Sequence, residues 1–214
     1  MDTKAQIKYF LFRIGLWNSI NLLRKSEDVL RWFATGCSGV APSPIKMRIV
    51  NSYLSRYSID SFIETGTYLG DTLEYIAHKG IKCISIELSE SLYSTACVRF
   101  NRYHNVKLIN GDSGQELPKL INGINSPVLF WLDGHYSFGP IHQSDAHTPI
   151  SLELQAILKH HIKKHIILID DARCFNGTND YPHLDVLLRM IREDGNYRAD
   201  VSADIIRLIP ITIS

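Results

Sequence analysis

The sequence has 214 residues, of which 45% are hydrophobic and 21% charged, and its 23 Lys and Arg residues nearly balance its 22 Asp and Glu residues. This length predicts one main domain with its own core, and a net charge of +1 excludes a global field that would hold a nucleic acid. The four cysteines are scattered and form no CxxC pair, which is typical of reduced thiols. We therefore expect a cytoplasmic protein without nucleic-acid partners.

The sequence predicts a helical extension over residues 1–44 and the main domain over residues 45–214. Apolar residues at helical spacing alternate with Lys and Arg between residues 4 and 24, and a second helix is expected from Ser26 to about Gly36. These helices are expected to cap the domain, contact the substrate or form a homodimer. A weaker alternative is a peripheral membrane contact through residues 4–24. No stretch is apolar enough to predict a transmembrane helix.

From residue 45 onward, short β-rich runs alternate with segments of helical period, which predicts a parallel sheet covered by helices. Five parallel strands are expected at residues 61–63, 82–86, 106–109, 128–132 and 166–169, with a helix after each. Two last runs, residues 197–201 and 205–209, are separated by a short polar turn and predict an antiparallel pair. The expected fold is α/β: a doubly wound, Rossmann-like sheet of seven mostly parallel strands with an antiparallel C-terminal strand pair.

Acidic residues follow all five expected parallel strands. They are Glu64, Glu87, Asp112, Asp133 and the pair Asp170 and Asp171. Ligands of open α/β sheets bind at the carboxyl ends of the strands. The sequence therefore predicts an acidic cleft along one edge of the sheet.

Residues 62–72 join the first strand to its helix, and Gly66 and Gly70 would let this backbone approach a ligand. The alternative is a tight turn without a ligand. The segment is neither a GxGxxG motif nor a P-loop, and Glu64 would repel a pyrophosphate and favour a cation. Glu87 follows Gly66 by 21 residues, where a carboxylate can accept hydrogen bonds from ribose hydroxyls. Together these features predict a nucleoside with a positive or zwitterionic tail.

The pattern Glu64-x-Gly66-x-x-x-Gly70-x-Thr72, with Glu87 after the second strand and Gly111-Asp112-Ser113 after the third, resembles the cofactor motifs of class I S-adenosylmethionine (SAM)-dependent methyltransferases. The resemblance covers roughly residues 45–210 and implies an enzyme that uses SAM. It implies that Glu64 and the Gly66 backbone hold the methionine moiety, Glu87 the ribose, and Asp112 with Ser113 the adenine. The implied cofactor-binding set is Glu64, Thr65, Gly66, Thr67, Gly70, Thr72, Glu87, Asp112, Ser113 and Asp133.

Asp133 follows the fourth strand and the pair Asp170 and Asp171 follows the fifth, so three carboxylates are expected beside the methyl donor. Anions this close require protonation, a cationic side chain or a metal ion. The arrangement resembles the divalent-metal-dependent O-methyltransferases of the catechol and macrolide-sugar types. The resemblance implies that these three residues bind Mg²⁺ or another divalent cation, which would assist methyl transfer to a hydroxyl of a small molecule or sugar. Arg173 could instead neutralise one of the acids.

His135 and Asp133 are the expected catalytic residues. His135 lies two residues beyond Asp133, and an imidazole with an ordinary pKa of about 6.5 can remove a proton at neutral pH. Tyr136 is a weaker alternative base, and His135 could instead orient a ligand. Residues 137–148 are expected to form a loop that faces the substrate. Two alternatives remain open: a metal-independent methyltransferase with His135 as base, and a nucleotide-binding or scaffold module without catalysis.

Two further groups of titratable residues carry a structural interpretation. Glu153, in the first turn of an expected helix, is expected to stabilise that helix N-terminus, with the alternative that its side chain reaches the cleft. His160, His161 and His165 lie among three lysines, which would repel a metal ion, so a solvated helix end is expected.

Overall fold

A computed structural model of the chain describes residues 17–134 and 148–211, with the side chains of residues 26–134 and 148–211. The helices of this part are α1 (Trp17–Ala34), α2 (Ser43–Arg56), α3 (Asp71–Ala77), α4 (Glu90–Phe100), α5 (Ser113–Ile121), α6 (Ile150–Lys159) and α7 (Leu184–Asp194). The strands are β1 (Ser61–Thr65), β2 (Lys82–Glu87), β3 (Val106–Asn110), β4 (Leu129–Leu132), β5 (Ile166–Ile169), β6 (Tyr197–Ser202) and β7 (Ile205–Pro210).

The strands form one seven-stranded sheet in the order β3-β2-β1-β4-β5-β7-β6. Strands β1 to β5 pair in parallel, and β7 pairs antiparallel with both β5 and β6. The predicted fold class is therefore confirmed, including the antiparallel pair at the C-terminus. The strand order reverses between β1 and β4, and this switch point is where open α/β sheets bind ligands.

Two hydrophobic clusters cover the two faces of the sheet, because successive strand residues point to opposite sides. Phe130 and Ile167 belong to the cluster beneath α5, α6 and α7. Phe62, Leu129 and Leu168 belong to the cluster beneath α2, α3 and α4. Every residue of β4 and β5 is buried, as expected for central parallel strands covered on both sides.

The N-terminal region differs from the two short helices expected there. α1 is continuous from Trp17 to Ala34, so Ser26 lies inside a helix and does not cap the start of one. Ser26 is exposed, and the helix continues through it. The helix ends close to Gly36, as predicted, and residues 4–16 lie outside the described part. None of the helices in the described ranges is long and apolar enough to cross a bilayer.

Helix α2 was not predicted, although the sequence carries its signals. Pro44 lies in its first turn, where proline is favoured. Met47, Val50 and Leu54 follow at helical spacing and are all buried. Residues 36–44 are rich in glycine, serine and proline, which predicts a turn. The start of this helix at Ser43 was therefore not predicted.

His160 and His165 are buried, so the expected solvated helix end is wrong for these two residues. His165 Nδ1 accepts a hydrogen bond from the backbone N–H of Val128 at 3.1 Å, and its Nε2 lies 2.8 Å from His160 Nδ1. Burial lowers the pKa of His165 to about 4. His161 is exposed, as expected.

Candidate active site

The loop after β1 lies directly against the end of β4. The backbone N–H of Asp133 donates to the carbonyl of Thr65 at 3.2 Å. A Cβ added to Gly66 would lie 2.6 Å from the carbonyl oxygen of Asp133, and the φ of Gly66 is 81°. Both the backbone conformation and this close approach require glycine. The structure thus brings the predicted glycine loop and Asp133 together.

Backbone conformation and packing explain why position 70 is a glycine. It precedes α3 with a φ of 77°, and a Cβ there would lie 2.7 Å from the Phe100 ring of α4. The packing of α4 against the loop therefore explains Gly70 without a ligand. Thr72 is half-buried in the first turn of α3.

Glu87 ends β2, and two backbone amides fix its carboxylate. The N–H of Tyr68 donates to Oε2 at 2.8 Å, and the N–H of Ser89 donates to Oε1 at 2.9 Å. Each carboxylate oxygen can accept more than one hydrogen bond. The remaining lone pairs of a carboxylate held in this way can accept from two adjacent hydroxyls.

Glu64 is buried at the end of a chain of hydroxyl groups. Ser85 donates to Glu64 Oε2 at 2.8 Å, and the Thr67 hydroxyl lies 2.7 Å from the Ser85 oxygen. Because the Ser85 proton is given to Glu64, Thr67 is the donor to Ser85. Burial raises the pKa of Glu64 well above its ordinary value, and the charges of Asp133 and Glu87 add to this rise. A nearby cation would favour the ionised form of this carboxyl.

Asp112 caps the N-terminus of α5. Its Oδ1 accepts from the backbone N–H of Gly114 at 2.9 Å, and Ser113 is the buried first residue of the helix. This cap explains the aspartate without a ligand. The implied adenine contact stays a prediction.

Asp170 and Asp171 meet a cation that the sequence interpretation missed. Lys46 of α2 places its ammonium 2.6 Å from Asp170 and 3.5 Å from Asp171. The Arg173 guanidinium lies 2.8 Å from Asp171 and also pairs with Asp204. Burial alone would lower the pKa of Lys46, but the two neighbouring aspartates raise it above its ordinary value. A cationic side chain, one of the three expected ways to balance the acids, is therefore present at this site.

Asp133 belongs to the same acidic region. Burial raises the pKa of Asp170 to about 7, and the charge of Asp133 adds to this rise. Asp133, Asp170 and Tyr181 line one small cavity at the ends of β4 and β5. The three predicted carboxylates thus lie near one another.

These carboxylates do not form a metal site as they stand. In residues 17–134 and 148–211, no group of three or more His, Cys, Asp or Glu side chains is placed to hold a metal ion. Mg²⁺ needs oxygen ligands at about 2.0–2.1 Å in octahedral geometry. Asp170 and Asp171 instead bind the nitrogen atoms of Lys46 and Arg173. The donor set does not fit a divalent ion while Lys46 keeps its position.

Glu153 of α6 is completely buried, and its carboxylate lies close to the hydroxyls of Ser113 and Thr65, although no described donor meets full hydrogen-bond geometry to it. A Cβ added to Gly134 would lie 3.3 Å from Glu153 Oε1 and 3.2 Å from Thr65 Oγ1, so these side chains lie beneath the turn after β4. Burial raises the pKa of Glu153 to about 7, against the opposing effect of the Ser113 and Thr65 hydroxyls. Sequence analysis placed this residue correctly in a first helical turn but did not predict its burial.

His135, Tyr136 and residues 137–147 of the expected loop lie outside the described residues. The predicted base therefore stays a prediction. Gly134 and Thr148, which flank this segment, line the same small cavity as Asp133 and Asp170. The described residues on either side of this segment therefore border the acidic region.

A larger cavity of about 470 Å³ opens between α1 and α2. Its lining includes charged and aromatic side chains, among them Asp28, Arg31 and Trp32. Lys46 also lines this cavity. The same lysine therefore borders both the cavity and the acidic pair.

No protein-family model matches the sequence, and no curated protein is significantly similar to it. Solved structures do share its fold. An O-methyltransferase from Bacillus cereus in complex with SAH matches with a TM-score of 0.57 at 16% identity, covering 87% of this chain and 90% of that one. The O-methyltransferase TomG from Streptomyces achromogenes, in complex with SAM, matches with a TM-score of 0.55 at 16% identity, covering 88% and 89%. SAH-bound methyltransferase PaMTH1 from Podospora anserina matches with a TM-score of 0.57 at 15% identity, covering 80% of each chain. The chain therefore has the fold of the class I SAM-dependent O-methyltransferases.

Proposed function

We propose that the protein is an enzyme that transfers a methyl group from SAM to a hydroxyl of a small molecule or sugar. The observation that carries this proposal is the carboxylate of Glu87, which the amides of Tyr68 and Ser89 hold at the end of β2. A carboxylate at this place in a doubly wound sheet can accept hydrogen bonds from both hydroxyls of a ribose. The three solved structures named above, which share this fold, are methyltransferases bound to SAM or SAH.

The glycine loop supports the same cofactor. Gly66 lets the loop pack against Asp133, which keeps the peptide groups of the loop at the sheet edge that carries Glu64 and Glu87. A nearby cation would stabilise the ionised form of the buried Glu64 carboxyl. The methionine end of SAM carries two positively charged groups, an ammonium and a sulfonium. Thr65, Thr67, Gly70 and Thr72 complete the loop, and Asp112 with Ser113 would meet the adenine. The residues present therefore fit SAM.

When bound, SAM would supply an electrophilic methyl group: an O–C bond to the acceptor oxygen would form as the S–C bond breaks, and SAH would be the neutral thioether leaving group. The acceptor hydroxyl loses its proton to a base. His135 is the proposed base, because it follows Asp133 by two positions in the sequence and Asp133 lines the small cavity with Asp170. Direct attack requires the oxygen, carbon and sulfur to lie in line.

Two forms of this reaction follow from the sequence, with and without a divalent ion. The ion pairs of Asp170 and Asp171 with Lys46 and Arg173 support the metal-independent form. The metal-assisted form, with Mg²⁺ bound by both aspartates and Asp133, stays a prediction. Turnover in the presence of EDTA distinguishes the two forms.

The predicted homodimer also stays a prediction. Leu30 and Phe33 of α1 are 70% and 56% exposed, which supports a partner for this helix. Light scattering at several protein concentrations would show a mass of two chains if the prediction holds. Binding of the monomer to lipid vesicles would favour the alternative peripheral membrane contact.

The proposed activity is tested by incubating the protein with SAM and a panel of hydroxylated acceptors, including sugars and catechols. Mass spectrometry would measure the release of SAH and the added methyl group on the acceptor. The expected result is SAH release that depends on one class of acceptor. Binding of SAH without turnover on any acceptor would instead support a nucleotide-binding module, and absence of SAH binding would contradict the proposal.

A further inference from the structure

Lys46 lies between the acidic region and the cavity between α1 and α2. Its side chain is only 14% exposed, and its ammonium is 2.6 Å from a carboxylate that is 5% exposed, that of Asp170. In the described ranges, Asp170 and Asp171 are its hydrogen-bond partners. The lysine also lines the cavity between α1 and α2.

The two carboxylates accept hydrogen bonds from only two of the three N–H groups of the Lys46 ammonium. A lysine ammonium has three N–H donors and accepts no hydrogen bond. Asp170 and Asp171 take two of these donors. Among the described residues, the third donor has no hydrogen-bond acceptor, and Lys46 also lines the cavity.

A divalent ion and the ammonium cannot both occupy this position. An ion bound to Asp170 would lie about 2.1 Å from its oxygen, and the ammonium is already 2.6 Å from the same carboxylate. Two cations at such a short separation repel each other strongly in a buried region. Arg173 adds a further positive charge beside Asp171.

We propose that Lys46 takes the place of the divalent ion and donates a hydrogen bond that positions the acceptor hydroxyl, with the acceptor bound in the cavity between α1 and α2. The part of the proposal that concerns the acceptor rests on the proposed methyl transfer. Asp28 and Arg31 offer both an acceptor and donors to hydroxyl groups, and Trp32 offers an aromatic face. This lining fits a hydroxylated ring such as a sugar.

Metal binding tests the first half of the proposal without any acceptor. Mn²⁺ is titrated into the wild-type protein and Lys46→Met, and free Mn²⁺ is measured by electron paramagnetic resonance. We expect no stoichiometric binding at submillimolar Mn²⁺ for the wild type, and an affinity at least roughly tenfold higher for Lys46→Met, because a repelling charge is removed. Lys119→Met, which removes an exposed lysine paired with Glu116, is the matched control and should behave as the wild type. Tight Mn²⁺ binding to the wild-type protein would overturn the proposal even if Lys46→Met does not fold.

Kinetics test the second half once an acceptor is known. Lys46→Met should lower kcat/KM for the acceptor by roughly a hundredfold, as expected for loss of a charge-assisted hydrogen bond, with SAH affinity unchanged within about twofold. Lys46→Arg, which keeps the charge, should recover part of the loss. Equal losses in SAH affinity and in acceptor kcat/KM would overturn the positioning role. If the wild-type protein does not bind SAH, the methyl-transfer proposal is contradicted. The Mn²⁺ titration would still decide whether Lys46 takes the place of the divalent ion.

Discussion

Lys46 and Asp170 lie 124 positions apart in the sequence and form an ion pair of 2.6 Å at the end of β5. The pair joins α2 to the centre of the sheet in a region from which most solvent is excluded. Breaking a buried pair by removing one partner leaves the other charge uncompensated. Removal of the Lys46 ammonium would also take away one of the two cations that neutralise Asp171, and Arg173 would remain.

The first prediction therefore concerns stability. Lys46→Met should lower the free energy of unfolding by about 3 kcal/mol at pH 9, measured by urea denaturation, and by less at neutral pH, because the Asp170 carboxyl has a pKa raised to about 7 and can take up a proton there. The double variant Lys46→Met/Asp170→Asn should recover part of this loss, because the uncompensated carboxylate is gone. A loss below about 0.5 kcal/mol in the single variant, the size of a surface effect, would contradict a buried pair.

The second prediction separates the two requirements for glycine at position 66. Gly66→Ala should destabilise the protein by more than about 2 kcal/mol and weaken SAH binding, because its Cβ would meet the Asp133 carbonyl at 2.6 Å. Gly80→Ala is the matched control, since Gly80 has a φ of 78° with open space around its Cβ position. That control should cost only about 1 kcal/mol and leave SAH affinity intact. Equal effects of the two substitutions would show that the close approach is unimportant.

The third prediction concerns the ribose carboxylate. Glu87→Ala should weaken SAH binding by roughly tenfold to a hundredfold, because hydrogen bonds to a charged group are lost. Glu90→Ala, which changes an exposed glutamate in the first turn of α4, should leave the affinity unchanged. Calorimetric titration of both variants measures this difference, and equal affinities would remove Glu87 from the site.

The fourth prediction concerns Glu153, which is buried with a pKa raised to about 7. An unfolded glutamate ionises at about 4.3, so the folded state binds more protons between these pH values, and the contribution of Glu153 to stability falls as the pH rises through this window. Glu153→Gln should therefore become more stable relative to the wild type from about pH 4.5 to pH 7, by about 1–3 kcal/mol. Urea denaturation across this range gives the difference, and a constant difference would contradict the raised pKa.

The fifth prediction has the opposite sign. The pKa of buried His165 is lowered to about 4, whereas an unfolded histidine titrates at about 6.5. The unfolded state binds more protons between these values, so the stabilising contribution of neutral His165 is lost as the pH falls from about 6.5 to about 4. The stability of His165→Gln should depend less on pH across this window than that of the wild type, whereas His161→Gln, at an exposed position, should follow the wild type. Parallel curves for His165→Gln and the wild type would contradict this assignment.

Much of the fold could be predicted because its signals are local. The β-rich runs that form β2 and β5 and the glycine loop with Gly66 are each contained in a few consecutive residues. Glu64, Glu87 and Asp133 could be placed at one edge because the carboxyl ends of parallel strands share it.

Other features depend on contacts between distant parts of the chain. Lys46 was missed because nothing near it in the sequence indicates that α2 packs beside β5. Gly70 is explained by the ring of Phe100, 30 positions further along the chain. The burial of Glu153 and His165 likewise follows from how helices pack on the sheet, which no local pattern encodes.

Calorimetric titration of the wild-type protein with SAH in metal-free buffer tests the central claim most directly. The account predicts one binding site per chain with an affinity in the micromolar range, unchanged by EDTA, because the proposed cofactor contacts come from Glu64, Gly66 and Glu87. Absence of binding at millimolar SAH, both with and without added Mg²⁺, would contradict the proposed cofactor site.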